Sequence, residues 1–163
     1  MNRRVQSALV IAAVFLADRI TKLYIRADVS PLDVIPVIPR FFNIVHTENP
    51  GAAFGFLTAL NVEYRGWLLI AVSLAVMAII GSLLWRDAAN PILQTGLALV
   101  FGGALGNVWD RITRGTVTDF LQFFFGSYEF PSFNAADSAI TIGACLLLLD
   151  LWLNRKESRK VYS

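Results

Sequence analysis

The stretch GWLLIAVSLAVMAIIGSLLW, from Gly66 to Trp85, has no charged residue. About 20 consecutive apolar residues in a helix are enough to cross a hydrocarbon core of ~30 Å. The chain as a whole is also biased towards apolar residues, because 56% of its 163 residues are hydrophobic and 16% are charged. Soluble domains contain about 25% charged residues. The sequence therefore predicts a mainly α, polytopic membrane protein, with one domain over residues 1–163.

Three further segments have the length of a membrane span. Residues 91–109 also have no charged side chain, whereas the segments near the two chain ends contain ionisable ones. We predict four transmembrane helices, at about 5–25, 66–85, 91–109 and 135–154. The first follows two arginines, as a signal peptide does, but further spans lie downstream and no small-residue cleavage site follows cleanly, so we interpret it as a retained helix.

The distribution of basic residues predicts the orientation. Arginine and lysine are concentrated in short segments that would share one side, namely Arg3, Arg4, Arg86, Arg155, Lys156, Arg159 and Lys160. By the positive-inside rule, both termini are expected in the cytoplasm. The extracytoplasmic loops then cover about 26–65 and 110–134. The first loop is rich in proline, and VIPRFFNIVHT (residues 37–47) has short β-branched and aromatic runs that favour a small sheet.

Polar residues from separate segments are expected to meet at the outer face. With a rise of ~1.5 Å per residue, Asp18 and Lys22 lie ~20 Å and ~26 Å beyond the start of the first span. The third span ends with polar residues, the fourth begins with them, and Asp119 lies between the two spans. Ionisable groups at membrane depth are costly and indicate a functional site. The converging residues are Asp18, Lys22, Asn107, Asp110, Arg111, Asp119, Asn134 and Asp137.

Most of these residues also have a purely structural explanation. Asp110 and Arg111 could simply mark the end of the third helix. Asp18 and Lys22 are four residues apart and could pair along one helix face. Asn134 could cap the fourth helix, with Asp137 favoured by the helix dipole. No such explanation accounts for Asp119, which precedes the apolar run FLQFFF.

Two aspartates in an apolar setting indicate shared-proton chemistry. Close carboxylates do not easily ionise together, so one can polarise a carbonyl while the other deprotonates water, and peptide hydrolysis needs no metal or other cofactor for this. His46 is the only histidine, which argues against a histidine-rich metal site. The alternatives that we leave open are a small proton-coupled membrane transporter with buried carboxylates and a structural membrane subunit.

Five stretches of the sequence resemble bacterial lipoprotein signal peptidases, also called prolipoprotein signal peptidases or signal peptidase II. In the order of that family, they are DRITK (18–22), NPGAAF (49–54), GGALGNVWDR (102–111), VTDF (117–120) and FNAAD (133–137). The resemblance implies an aspartic endopeptidase of the bacterial inner membrane that removes the signal peptide from prolipoproteins, cutting just before the diacylglyceryl-modified cysteine. Asp119 and Asp137 would be the catalytic dyad, on the periplasmic, outer-leaflet side.

The resemblance also implies supporting residues and partners. The supporting residues would be Asn107, Asp110, Arg111, Asn134, Asn49, Asp18 and Lys22. The expected partners are lipid-modified prolipoproteins and membrane lipids, and the protein would be a monomer. A net charge of +2 does not suggest a nucleic-acid partner. The family's extracytoplasmic β-cradle and surface helix would correspond to the first loop, with TALNVEYRG (58–66) as the surface helix.

Overall fold

The computed structural model describes residues 2–51, 62–86 and 90–161, which form four helices and a four-stranded sheet. The helices are α1 (Arg3–Asp28), α2 (Val62–Trp85), α3 (Pro91–Arg114) and α4 (Ala135–Val161). The strands are β1 (Val34–Ile38), β2 (Phe42–Asn49), β3 (Val117–Phe125) and β4 (Tyr128–Phe133). The sheet is antiparallel, in the order β1-β2-β3-β4.

Three of the described helices are long and apolar enough to cross a membrane. The apolar segments are Tyr64–Trp85, Pro91–Arg114 and Ala135–Asn154. This confirms the prediction of a mainly helical membrane protein. Helix α1 does not meet the same criterion, because it contains more ionisable residues, among them Asp18, Arg19 and Lys22. The fourth span and the orientation of the termini therefore stay predictions.

Helix α3 lies at the centre of the helical bundle. Its apolar segment is 50% buried, against 22% for those of α2 and α4. Glycines allow α3 and α4 to approach closely: a Cβ on Gly143 would lie 2.7 Å from the carbonyl oxygen of Gly96, and a Cβ on Gly103 would meet the carbonyl oxygen of Ala136. Small residues at such contacts let helices pack backbone to backbone.

Helix α3 continues beyond its predicted end at residue 109. It ends at Arg114, and Gly115 follows in the left-handed conformation (φ 80°) and donates its N–H to the carbonyl of Arg111. The polar residues Asp110 and Arg111 suggested the end of a helix, but the side chain of Asp110 is completely buried in the bundle. The helix therefore carries these polar groups into the interior instead of ending at them.

The sheet confirms the strands predicted for residues 37–47 and adds a hairpin that we did not predict. Strands β3 and β4 occupy most of the predicted loop 110–134 and are joined at Gly126, which has a φ of 66°. Phenylalanine side chains stack across the sheet, with ring centroids 4.6 Å apart for Phe42 and Phe123 and 5.7 Å apart for Phe123 and Phe133. These contacts explain the aromatic run FLQFFF as a strand that pairs on both edges.

Only part of the predicted surface helix over residues 58–66 falls within the described residues. Residues 58–61 lie outside the described residues, while Val62–Gly66 form the first part of α2. Residues 52–54 of the NPGAAF motif also lie outside the described ranges.

Candidate active site

Asp119 lies on β3, where the sheet meets the helices. Its backbone pairs with Thr47 on β2, and its side chain is buried, with 3% of the residue exposed. Asn49, the last residue of β2, donates a side-chain hydrogen bond of 2.9 Å to Oδ2 of Asp119. The β2–β3 pairing therefore sets the position of this carboxylate and of one of its donors.

Asp137 lies in the first turn of α4 and forms a reciprocal cap with Asn134. The N–H of Asp137 donates to Oδ1 of Asn134 at 2.9 Å, and the N–H of Asn134 donates to Oδ2 of Asp137 at 3.3 Å. This pattern satisfies backbone groups at the start of a helix. The structural explanation of these two residues as a helix cap is therefore correct, but Asn134 also contacts Asp119.

The side-chain amide of Asn134 connects the two aspartates. Its Nδ2 donates to Oδ1 of Asp119 at 2.7 Å, while its Oδ1 accepts the backbone N–H of Asp137. Asn107 on α3 holds Asp137 from the other side, donating to Oδ1 at 2.7 Å. The Oδ1 of Asn107 in turn accepts from Lys22 Nζ at 3.0 Å and from Asn134 Nδ2 at 3.3 Å. Asp119 and Asp137 thus belong to one hydrogen-bond network.

The two aspartates also line the same cavity, which has a volume of about 630 Å³. Its polar lining includes Asn49, Asn107 and Arg111, and its apolar lining comes from α2, α3, α4, β3 and β4. The apolar and weakly polar lining residues are Leu69, Ser73, Ala104, Val117, Phe130, Pro131, Ser132, Phe133, Ser138, Ile140 and Thr141. A mostly apolar cavity with a few convergent polar groups is typical of a ligand or active site.

The environment of Asp119 shifts its protonation towards neutral pH. Burial raises the pKa of Asp119 to about 6, the hydrogen bond from Asn49 opposes this, and the negative charge of Asp137 raises the pKa further. A carboxyl group with such a pKa can hold a proton at a pH at which ordinary aspartates have lost theirs. This is the property that the shared-proton hypothesis requires.

Behind the cavity, Lys22 is the centre of a buried ionic cluster. Lys22, Asp18 and Asp110 have side chains that are completely buried. The ammonium group lies 2.9 Å from Oδ2 of Asp18, 2.8 Å from Oδ2 of Asp110 and 3.0 Å from Oδ1 of Asn107. The ammonium group therefore forms ion pairs with both carboxylates and donates a hydrogen bond to Asn107. The predicted pairing along one face of α1 exists, but it is part of this larger cluster.

The cluster also fixes the beginning of α4. Oδ1 of Asp18 accepts a hydrogen bond of 3.1 Å from the backbone N–H of Ala136. Negative charge at a helix N-terminus is stabilising, and Asp18 supplies it from another helix. Because Ala136 directly precedes Asp137, this contact positions the catalytic candidate through the backbone.

The sequence analysis missed two arginines of α1 that belong to the same cluster. Arg19 and Arg26 both donate to Oδ1 of Asp110, and Arg26 does so at 2.9 Å. Arg26 was assigned to the outer loop, but its Nε donates to Thr118 at 2.7 Å, next to Asp119. A signal was present in the sequence, because Asp18, Lys22 and Arg26 are spaced by four and share one face of a helix.

Glu48 on β2 completes the contacts on the sheet side. It pairs with Thr118 in the β2–β3 register and accepts hydrogen bonds from Thr116 at 2.5 Å and Thr118 at 2.7 Å. Burial would raise the pKa of Glu48, but these hydrogen bonds, with those from His46 and the charge of Arg26, lower it overall. Glu48 is therefore a charged partner of the sheet and the Arg26 side chain.

Arg111 is the cation that lines the cavity itself. Its Nη1 lies 3.4 Å from the carbonyl oxygen of Asn107, and in the described ranges it forms no ion pair.

All nine predicted site residues lie in two connected layers. Asn49, Asn107, Arg111, Asp119 and Asp137 line the cavity, and Asn134, Asp18, Lys22 and Asp110 lie behind it. Within the described ranges, no three histidine, cysteine or acidic side chains converge as metal ligands.

Asp150, a further buried carboxylate, lies on α4 away from this site. Its carboxylate accepts hydrogen bonds from Asn90, the residue that caps α3, and from Asn154 at 3.1 Å. It therefore links the start of α3 to α4.

Comparison with known proteins shows the family to which this sequence is similar. The sequence model of the family described as "Signal peptidase (SPase) II" matches residues 10–153. A "Lipoprotein signal peptidase" of Solibacter usitatus is 42% identical over 153 residues, which are 93% of this chain and 93% of that protein. A protein of the same name from Oleidesulfovibrio alaskensis is 42% identical over 149 residues, covering 90% and 94% of the two chains.

Two solved structures have the same fold. One, described as "Bacterial membrane enzyme structure by the in meso method at 2.3 A resolution", superposes with a TM-score of 0.83 at 33% identity, covering 93% of this chain and 90% of that one. A second, at 1.9 Å resolution, has a TM-score of 0.79 at 34% identity, covering 90% and 92%. With the family model matched over most of its length, this chain belongs to the signal peptidase II family.

Proposed function

We propose that this protein is an aspartic endopeptidase that removes the signal peptide from prolipoproteins, cutting just before the diacylglyceryl-modified cysteine. Asp119 and Asp137 act together as its catalytic dyad. The observation that carries the proposal is that both carboxylates line one apolar cavity and both accept a hydrogen bond from Asn134, Asp119 from its side-chain amide and Asp137 from its backbone N–H. Family membership supports the choice of reaction and of substrate.

In this mechanism the dyad holds one proton, which we assign to Asp119 because its pKa is raised to about 6. Protonated Asp119 donates a hydrogen bond to the oxygen of the scissile carbonyl. Ionised Asp137 takes a proton from water, and the water oxygen bonds to the carbonyl carbon. The tetrahedral intermediate then collapses: a proton passes to the leaving nitrogen, the C–N bond breaks, and one proton remains on the dyad.

The surrounding residues hold the two carboxylates and the bound peptide in position. Asn107 and the backbone N–H of Asn134 donate hydrogen bonds to the carboxylate of Asp137 and orient it in the cavity. Arg111 lines the same cavity and can donate to a carbonyl of the bound peptide, which would fix the peptide relative to the dyad. The buried Lys22 cluster holds Asn107 and the start of α4 in place.

The substrate's lipid is expected to position the scissile bond. Two acyl chains and the signal helix would hold the peptide bond near the outer-leaflet surface of the inner membrane, at the end of the helices where the cavity lies. The proposed topology has four spans, cytoplasmic termini and this cavity on the periplasmic side. Apolar side chains at the cavity, among them Phe130 and Ile140, suit contact with the lipid or the signal helix.

Purified protein is expected to cleave a lipidated prolipoprotein roughly 100-fold faster, in kcat/KM, than the same protein without the diacylglyceryl group. The reason is that each buried methylene of an acyl chain contributes about 0.8 kcal/mol. The test compares both substrates with the wild-type enzyme, using mass spectrometry to locate the cut. Equal turnover of the two substrates would contradict the lipid anchoring, and a cut at another position, or none at all, would contradict the assigned reaction.

The proton assignment predicts how the rate depends on pH. Because protonated Asp119 is the active form, kcat/KM should fall as the pH rises through about 6. Asn49 stabilises the ionised carboxylate, so Asn49→Ala should raise the pKa of Asp119 and move this descending limb to higher pH. Asn43→Ala is the matched control, because Asn43 lies on the same strand and donates to Gln122 instead.

The measurement is a pH–rate profile for the wild type and both variants. We expect the profile of Asn43→Ala to coincide with that of the wild type. A limb that stays in place in Asn49→Ala, or moves to lower pH, would contradict the role given to Asp119.

No specific observation favours the alternative of a proton-coupled transporter. A transporter would need ionisable groups along a path across the membrane. In the described segments the titratable cluster lies at one end of the bundle, and Asp150, towards the other end, is held by two side-chain amides.

A further inference from the structure

A second cavity lies at the opposite end of the bundle, where α1, α2 and α3 meet. It has a volume of about 250 Å³ and shares no lining residue with the active-site cavity. Its lining residues are Arg4, Ser7, Ala8, Ile11, Gly81, Leu84, Trp85 and Phe101. Ser7 and Asp18 are separated by eleven residues of α1, or ~16 Å along the helix, so this cavity faces the other leaflet.

The residues that α1 contributes follow one helical face in a distinct chemical order. Arg4, Ser7, Ala8 and Ile11 have the spacing i, i+3, i+4 and i+7, which places them on the same side of a helix. Along that face a cation comes first, a hydroxyl follows ~4.5 Å deeper, and apolar side chains come next. A phospholipid has the same order: an anionic phosphate, then an ester carbonyl, then an acyl chain.

The hydroxyl of Ser7 is the second indication of a ligand. Ser7 is only 6% exposed, and its Oγ has no hydrogen-bond partner in the described part of the chain. A serine in a helix commonly donates to a backbone carbonyl of the preceding turn, as Ser82 and Ser138 do here. A buried polar group without a partner is unfavourable, and Ser7 lines the cavity.

Arg4 is held at the mouth of the cavity with part of its guanidinium group unused. Its Nη2 donates to the carbonyl oxygen of Trp85 at 3.1 Å, and its Cζ lies 4.9 Å from the centre of the Trp85 ring. Both contacts fix the side chain next to α2. The guanidinium has five N–H donors, so several are left to bind an anion. Tryptophan and arginine at a helix end are also typical of the headgroup region.

The inner part of the cavity is kept open by a glycine. A Cβ added to Gly81 would meet only Cε2 of Phe101, at 3.6 Å, which is an ordinary contact. Close packing of the backbone therefore does not require glycine at this position. Glycine inside a helix is less favourable than alanine by about 1 kcal/mol. At this position the missing side chain leaves room beside Phe101.

We propose that this cavity binds one anionic phospholipid. Arg4 binds its phosphate, the Ser7 hydroxyl donates to an ester carbonyl, and Ile11, Leu84 and Phe101 contact the first part of an acyl chain. The site is separate from the proposed peptidase site and does not depend on that function.

The test uses Trp85 as a local probe of lipid binding. The full chain with Trp67, Trp109 and Trp152 replaced by phenylalanine is placed in phosphatidylcholine vesicles. Brominated phosphatidylglycerol or brominated phosphatidylcholine is then added at equal mole fraction, and quenching of Trp85 is measured. A favourable contact between one arginine and an anionic lipid corresponds to a preference of about fivefold. We expect phosphatidylglycerol to show this preference at Trp85.

Three variants make the result specific. Arg4→Gln should remove the preference, whereas Arg4→Lys, which keeps the charge, should retain most of it. Gly81→Leu should fill the cavity and lower quenching by both lipids below the wild-type level. A matched protein that keeps only Trp67, at the other end of α2, should show no preference. Equal quenching by both lipids in the wild type, or a preference that survives Arg4→Gln, would overturn the proposal.

Discussion

Replacing either Asp119 or Asp137 with asparagine is expected to lower kcat for prolipoprotein cleavage by roughly 1,000-fold or more, because positioned acids and bases each contribute about 10²–10⁴-fold. Asparagine has nearly the same shape as aspartate but can neither hold the shared proton nor accept one from water. Both aspartates lie in polar contacts that an amide can partly replace, so the variants should remain folded.

Asp150→Asn is the matched control for these variants. Asp150 is also a buried carboxylate of the same protein, with 3% of the residue exposed, but its partners are Asn90 and Asn154. We expect this variant to keep most of the wild-type activity. Near-normal turnover by Asp119→Asn or Asp137→Asn, measured on protein with a wild-type unfolding profile, would contradict the assignment of the dyad.

The second large effect is expected on stability. Lys22→Met should destabilise the protein by about 3–5 kcal/mol, which is the usual result of removing one partner of a buried ion pair. Methionine fills a similar volume but leaves Asp18 and Asp110 without the ammonium group between them. Asp110 keeps its two arginine partners, whereas Asp18 keeps only the N–H of Ala136.

This difference between the two aspartates allows a control. The double variant Lys22→Met, Asp18→Asn removes the least supported charge and should recover part of the lost stability. The measurement is reversible unfolding in detergent or thermal unfolding of all three proteins. An unchanged stability of Lys22→Met, or no recovery in the double variant, would contradict the central position of Lys22 in the cluster.

Hydropathy and residue depth were sufficient to predict the helices and the meeting of the polar residues at one end of the bundle. An uncharged run such as Gly66–Trp85 has few alternatives to a spanning helix, and the helix rise converts position along a span into depth. Depth alone brought Asp18, Asn107 and Asp137 to one level. It does not give lateral position, so the hydrogen bonds among Asn107, Asn134 and the two aspartates became visible only in the structure.

The predictions that fell short depended on contacts between distant parts of the chain. The hairpin of β3 and β4 was missed because FLQFFF lacks the alternation of a half-exposed strand, and its phenylalanines stack against other strands. Arg26 was assigned to a loop because the predicted first span ends at residue 25. Its actual partners, Asp110 and Thr118, are 84 and 92 residues away in the sequence.

The central claim is that Asp119 and Asp137 act as one catalytic unit, and a double-mutant comparison tests it most directly. Single-turnover rates of prolipoprotein cleavage are measured for the wild type, Asp119→Asn, Asp137→Asn and the double variant. Groups that act as a unit have strongly non-additive effects. We predict that the double variant is no slower than the slower single variant; effects that multiply in the double variant would contradict the claim.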